Sequence, residues 1–119
     1  MKTIKINRVL AQTPCPICGE FSKKHSTAIR TLKHLSYEQK TIFKVTYSRH
    51  FCNNCMKHFT INMWDLAAPK SHYTNSVFYR ARQLRKAGNL TFEKVSSILL
   101  DKYHVDVPVS TICDWEKEF

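Results

Sequence analysis

The sequence predicts an α+β fold in which a small antiparallel strand module precedes a unit of three short helices. Three observations predict it. Residues Thr41–Phe51 alternate strictly, the apolar pattern after Thr74 has helical spacing, and two C-x-x-C pairs bracket the strand-rich region. A chain of 119 residues and 14.0 kDa has room for one ordinary domain or two small ones, which leaves little for an enzyme core. No stretch approaches the roughly 18 apolar residues of a membrane helix. The basic opening MKTIKINRVLAQ lacks an apolar run of signal-peptide length, so a reducing, cytoplasmic setting is expected.

Each element has its own reason. In Thr41–Phe51, Phe43, Val45, Tyr47 and Phe51 fall on one side, with Lys44, Thr46, Ser48 and His50 on the other. Period two with aromatic and β-branched residues marks a half-buried antiparallel strand, and Ala28–Leu35 can supply its partner. Pro69 interrupts regular structure where the composition shifts, so residues 1–65 are expected as one module, 66–73 as a linker and 74–119 as the other. Beyond it, Thr74 or Asn75 caps a helix with Val77, Phe78, Ala81 and Leu84 inward, ended by Gly88-Asn89. Thr91 caps a second helix, with Phe92, Val95, Ile98 and Leu99 inward. After the short connection Tyr103–Val107, Pro108 opens a third, on which Ile112, Trp115 and Phe119 share a face. Three short helices joined by tight turns match a helix-turn-helix unit.

The paired cysteines carry the chemistry. Cys15-Pro16-Ile17-Cys18-Gly19 and Cys52-Asn53-Asn54-Cys55 place two thiolates on each of two tight turns. Tetrahedral zinc takes four such donors at about 2.3 Å. A thioredoxin-like redox pair needs a βαβ context, and disulfides need an oxidising compartment; neither is indicated. The expected cofactor is therefore one structural Zn²⁺ held by Cys15, Cys18, Cys52 and Cys55, which makes the first module a small antiparallel zinc ribbon. Four cysteines close the coordination sphere and leave no catalytic position. Roughly 60 residues with few large apolar side chains also need such a staple to fold. His25, His34, His50 and His58 are expected as surface imidazoles, and Cys113 and Trp115 as helix-packing residues. Met63 and Trp64 are expected to pack the ribbon against the linker. Met56 stands where a second knuckle often has glycine, so a less regular turn is expected there.

Charge points to the partner. Nineteen Lys and Arg face nine Asp and Glu, a formal +10. Residues 1–62 hold eleven of the basic residues and only Glu20 and Glu38, a net of +9, or about +7 with a tetrathiolate zinc. Residues 89–119 carry −3. A field of this strength over a small module repels itself and implies a polyanion, nucleic acid before a membrane surface.

The Cys15–Gly19 motif, His25, the run Arg49-His50-Phe51-Cys52-Asn53-Asn54-Cys55 and Phe59-Thr60 together resemble the N-terminal zinc ribbon of insertion-sequence transposases. Tyr73-Thr74, Leu90-Thr91-Phe92 and Val109-Ser110-Thr111-Ile112-Cys113-Asp114-Trp115 resemble the helix-turn-helix behind it. The resemblance spans residues 14–119 and implies recognition of terminal inverted repeats in double-stranded DNA, by a transposase region or a stand-alone repressor of that layout. Such transposases cut with three carboxylates around Mg²⁺ in a separate ribonuclease-H-like domain. No acid pair here has metal-site spacing in a strand, so no enzymatic activity is expected.

On this reading phosphates are met by Lys23, Lys24, Arg30, Lys33, Lys44, Arg49 and Lys57 of the ribbon and by Arg80, Arg82, Arg85 and Lys86 of the first helix. Ser110, Thr111, Asp114 and Lys117 of the third helix face the major groove, although Asp114, Glu116 and Glu118 oppose phosphate there. Two other classes stay open: RNA binding with Phe43, Tyr47 and Phe51 as stacking platforms, and an assembly module in which the helical half forms a homodimer. The expected location is the cytoplasm, on the nucleoid, with no membrane partner.

Overall fold

The computed structural model describes all 119 residues, as a mixed five-stranded sheet followed by three helices. The strands are β1 (Lys2–Arg8), β2 (Gln12–Pro14), β3 (Phe21–His34), β4 (Thr41–Cys52) and β5 (Lys57–Thr60). The helices are α1 (Asn75–Lys86), α2 (Phe92–Tyr103) and α3 (Val109–Glu116). No helix is long and apolar enough to cross a membrane.

The alternating segment is β4, and its expected partner lies within the antiparallel strand β3. The sheet is nevertheless not purely antiparallel, because β1 runs parallel to β4, in register from Lys2 beside Thr41 to Arg8 beside Tyr47. Parallel neighbours need a long connection, and here β2 and β3 supply it. From Arg49 onward the same edge of β4 is taken by β5. Where β1 ends, residues 9–11 cross over β4 to reach β2, which pairs with β3 on the far side of the sheet. The Leu10 N–H donates to Ser48 Oγ at 3.1 Å during this crossing.

That crossing explains why β4 changes its buried face. In its first half Val45 is buried with Leu32 under Ala67, flanked by Ile6, Phe43, Met63 and Leu66. In its second half the opposite parity is covered, and Ser48, His50 and Cys52 are fully buried. His50 was expected at the surface. Its Nδ1 lies 2.9 Å from the Ser22 carbonyl and its Nε2 lies 2.7 Å from Ser48 Oγ. A carbonyl only accepts, so Nδ1 carries the proton and Nε2 accepts from the Ser48 hydroxyl. Donor and acceptor roles are thus fixed along the whole chain from Leu10 to Ser22.

The helices keep the predicted inner faces. Val77, Ala81, Val95, Leu99 and Ile112 form one buried cluster, and Phe78, Leu84, Phe92, Ile98, Trp115 and Phe119 pack around it. Tyr103, expected in the connection, is the last residue of α2, and it joins the same core with Val105 and Val107 of the α2–α3 connection. Thr91 accepts the Lys94 N–H at 3.2 Å, the expected cap. Thr74 is the N-cap of α1 without a side-chain bond to the helix, because its hydroxyl meets His34 Nδ1 at 2.7 Å. Pro108 sits at the N-cap of α3, one residue earlier than expected. At the end of α1 a Cβ on Gly88 would stand 2.7 Å from the Leu84 carbonyl oxygen, whereas Asn89 takes the left-handed conformation, φ 49°.

Residues 66–73, expected as a linker, are fastened to both halves. The Lys33 N–H donates to the His72 carbonyl at 2.8 Å, and the Thr74 N–H to the Lys33 carbonyl at 3.0 Å. Tyr73 thereby pairs beside β3 as an isolated parallel bridge to Lys33. The β3–β4 turn also reaches the helices: Leu35 enters their core, and the Ser36 N–H donates to the Tyr103 carbonyl at 2.9 Å.

Candidate metal centre

Cys15 and Cys18 lie on the turn between β2 and β3, and Cys52 and Cys55 on the turn between β4 and β5. The two turns are built alike. The Gly19 N–H closes the first onto the Cys15 carbonyl at 2.9 Å, and the Met56 N–H closes the second onto the Cys52 carbonyl at 2.7 Å. Each turn aims a backbone N–H at its leading sulfur, Ile17 at Cys15 Sγ (3.5 Å) and Cys55 at Cys52 Sγ (3.4 Å). Gly19 and Met56, each four residues past the leading cysteine, both have positive φ, 79° and 55°. The second turn is therefore as regular as the first, but a methionine holds the conformation that glycine adopts without cost.

All four Sγ atoms lie within 4.8 Å of one another, with Cys15 to Cys55 at 3.9 Å and Cys18 to Cys52 at 3.5 Å. A tetrahedron with metal–sulfur bonds of about 2.3 Å has edges of about 3.8 Å, so the donors fit a structural metal such as zinc. Cys15 and Cys52 form the buried side; Cys18 is exposed and Cys55 half-buried. Without a cation the four thiols cannot all ionise. The Asn54 side chain, then the Glu20 N–H, draws Cys18 down to about 6. The side-chain contact with Cys18, then loss of hydration, pushes Cys55 up to about 12. A divalent ion removes this conflict by taking the place of the thiol protons. No family model, curated protein or solved structure matches this chain.

The expected phosphate-contacting cations divide into two sets. Lys23, Lys24, Lys44, Arg49, Lys57, Arg82 and Lys86 are exposed. Arg30 instead donates to the carbonyls of Ala68 (2.6 Å) and Ser71 (2.7 Å), fixing residues 68–71 to the sheet. Arg85 stacks 4.4 Å over the Phe92 ring, donates to the Leu90 carbonyl and pairs with Glu116 at 3.3 Å. Both arginines hold the molecule together rather than standing free for phosphate. Arg80 bonds Gln83 and lies 5.1 Å over the Tyr103 ring, and Lys33 lies 5.7 Å over the Tyr73 ring. On α3, Ser110, Asp114 and Lys117 are exposed and Thr111 is half-buried.

Of the pair expected to pack ribbon against linker, only Met63 does so. Trp64 is 59% exposed. Sequence reading also missed Asn54 beside Cys18 and the Ser22–His50–Ser48 network behind Cys52. The even-numbered run Ser48, His50, Cys52 was the available signal, but polarity placed it outside.

Proposed function

We propose that this chain binds duplex DNA through a metal-braced cationic sheet, with α2 and α3 acting as a helix-turn-helix pair, and that it has no catalytic activity of its own. One observation carries the reading: the positive charge has almost no internal partner. Only Arg8–Asp65 and Arg85–Glu116 form ion pairs, so seventeen of the nineteen Lys and Arg have no acid within pairing distance. The sharpest case is on the sheet face opposite Ala67. There Lys5 and Lys44 are direct neighbours across the β1–β4 pair, both exposed, with Thr31 opposite Lys44 and Thr3 two residues from Lys5 on the same face. Like charges so placed repel each other, and a row of phosphates relieves the repulsion.

The geometry also softens the objection that α3 is acidic. Glu116 is engaged by Arg85, which leaves Asp114 and Glu118 as exposed acids beside Ser110 and Lys117, the exposed groups for base edges. The layout agrees with the resemblance to the end-recognition region of insertion-sequence transposases, and terminal inverted repeats are the natural first probes. The test is the salt dependence of affinity for a duplex carrying such repeats. About six phosphate contacts predict a slope of log K against log salt near −5. A slope shallower than about −2, or no binding at low salt, overturns the proposal.

A further inference from the structure

The exposed Trp64 borders a cleft of about 540 Å³ between the sheet and residues 60–70. Tyr47 also lines it, Met63 and Ala67 contribute apolar surface, and Arg30 and Lys70 supply positive charge. No acidic residue lines it. Tryptophan is well buried on average, whereas Trp64 is mostly exposed. The Trp64 N–H donates to Asn62 Oδ1 at 2.8 Å, and its carbonyl accepts from Asn75 Nδ2 at 2.7 Å. The backbone is thus pinned on both sides while the indole is left open to solvent. Lys70 stands on the rim with φ 62°, in the left-handed region that non-glycine residues adopt uncommonly.

We infer that this cleft takes an unpaired nucleobase of the bound DNA, stacked on the Trp64 indole, with its phosphate toward Lys70. The chemistry is selective at three points. Two aromatic side chains suit a flat ring. The lack of carboxylates, with Lys70 exposed on the rim, suits an attached phosphate. A volume of this size is that of a small-ligand pocket. A base within an intact duplex cannot reach such a site, so the protein should favour DNA with single-stranded nucleotides next to the duplex it grips. The inference rests on the DNA-binding reading above and adds a preference which that reading does not require.

Three probes separate the possibilities: a blunt duplex, the same duplex with a short single-stranded overhang, and one whose overhang is abasic. The abasic form keeps the added phosphates and removes the rings. Stacking predicts that the base-bearing overhang binds roughly tenfold tighter than the abasic one. Trp64→Ala should erase that difference while leaving blunt-duplex affinity unchanged, and Trp64→Phe should retain most of it. Equal affinity of the native chain for the two overhangs overturns the inference but leaves duplex binding intact, as does a preference that survives in Trp64→Ala. Failure to bind any of the three overturns the DNA-binding reading itself. Unchanged thermal melting of both variants shows that the effect is not one of folding.

Discussion

Replacing His50 by alanine should cost more than any other single histidine change, and the structure sets the size. The imidazole is fully buried and stacked 5.6 Å from the Phe59 ring, with both nitrogens engaged. Removing it takes a donor from the Ser22 carbonyl and leaves the Ser48 hydroxyl proton without an acceptor in a buried site, at about 1–3 kcal/mol each. It also leaves a cavity. A total loss of about 3–5 kcal/mol follows, a large part of the stability of a small protein. Urea unfolding of the zinc-loaded chain measures it, provided the slope against denaturant is unchanged. Ser48→Ala should cost about 1–3 kcal/mol, because it deprives both His50 Nε2 and the Leu10 N–H. The double variant should cost clearly less than the sum, since the two residues share a bond. A His50→Ala cost below about 1 kcal/mol, or full additivity with Ser48→Ala, would refute the buried-network argument.

Two further predictions follow from the conformations of Met56 and His34. Met56→Gly should stabilise by about 0.5 kcal/mol, because relief of the left-handed strain exceeds the freedom that glycine adds to the unfolded chain. A lower urea midpoint for this variant would contradict the equivalence of the two cysteine turns. Burial holds the His34 imidazole below its ordinary range, where it stacks on Phe43 at 4.5 Å and meets Thr74 Oγ1. A depressed pKa means that the folded state binds fewer protons than the unfolded one. The contribution is therefore complete above about 6.5 and is lost as pH falls. Urea midpoints compared between the native chain and His34→Gln should converge on acidification. A gap that stays constant from neutral to mildly acid pH would mean the proton plays no part.

Much of this arrangement was legible before any coordinates. The spacing of the cysteines named four donors that the fold then gathers, because a C-x-x-C turn presents both sulfurs to the same point whatever lies between the pairs. Local periodicity gave β4 and all three helices, since alternation and the 3.6-residue stripe are set by neighbours along the chain. What escaped was non-local. The strand KTIKINR carries Ile4 and Ile6 at alternate positions, but nothing in it announces a parallel partner some 40 residues away. Alternation in β4 implies one buried face throughout; beyond Tyr47 the other face is covered, where Leu10 meets Ser48, and His50 is held inward by Ser22 and Ser48. Tyr103, Val105 and Val107 alternate visibly, but the first closes α2 and the other two lie in a connection too short for a strand signal. The Arg85–Glu116 pair spans 31 positions, so charge alone assigns Arg85 to phosphate and sets Glu116 against it.

The most direct test is the metal content of the freshly purified chain, measured by elemental analysis together with far-ultraviolet circular dichroism before and after chelation. One zinc ion per chain, lost on chelation along with the sheet signal and absent from Cys15→Ser and Cys52→Ser, is the predicted result. Metal-free protein whose spectrum and melting ignore the chelator would contradict the account at its foundation.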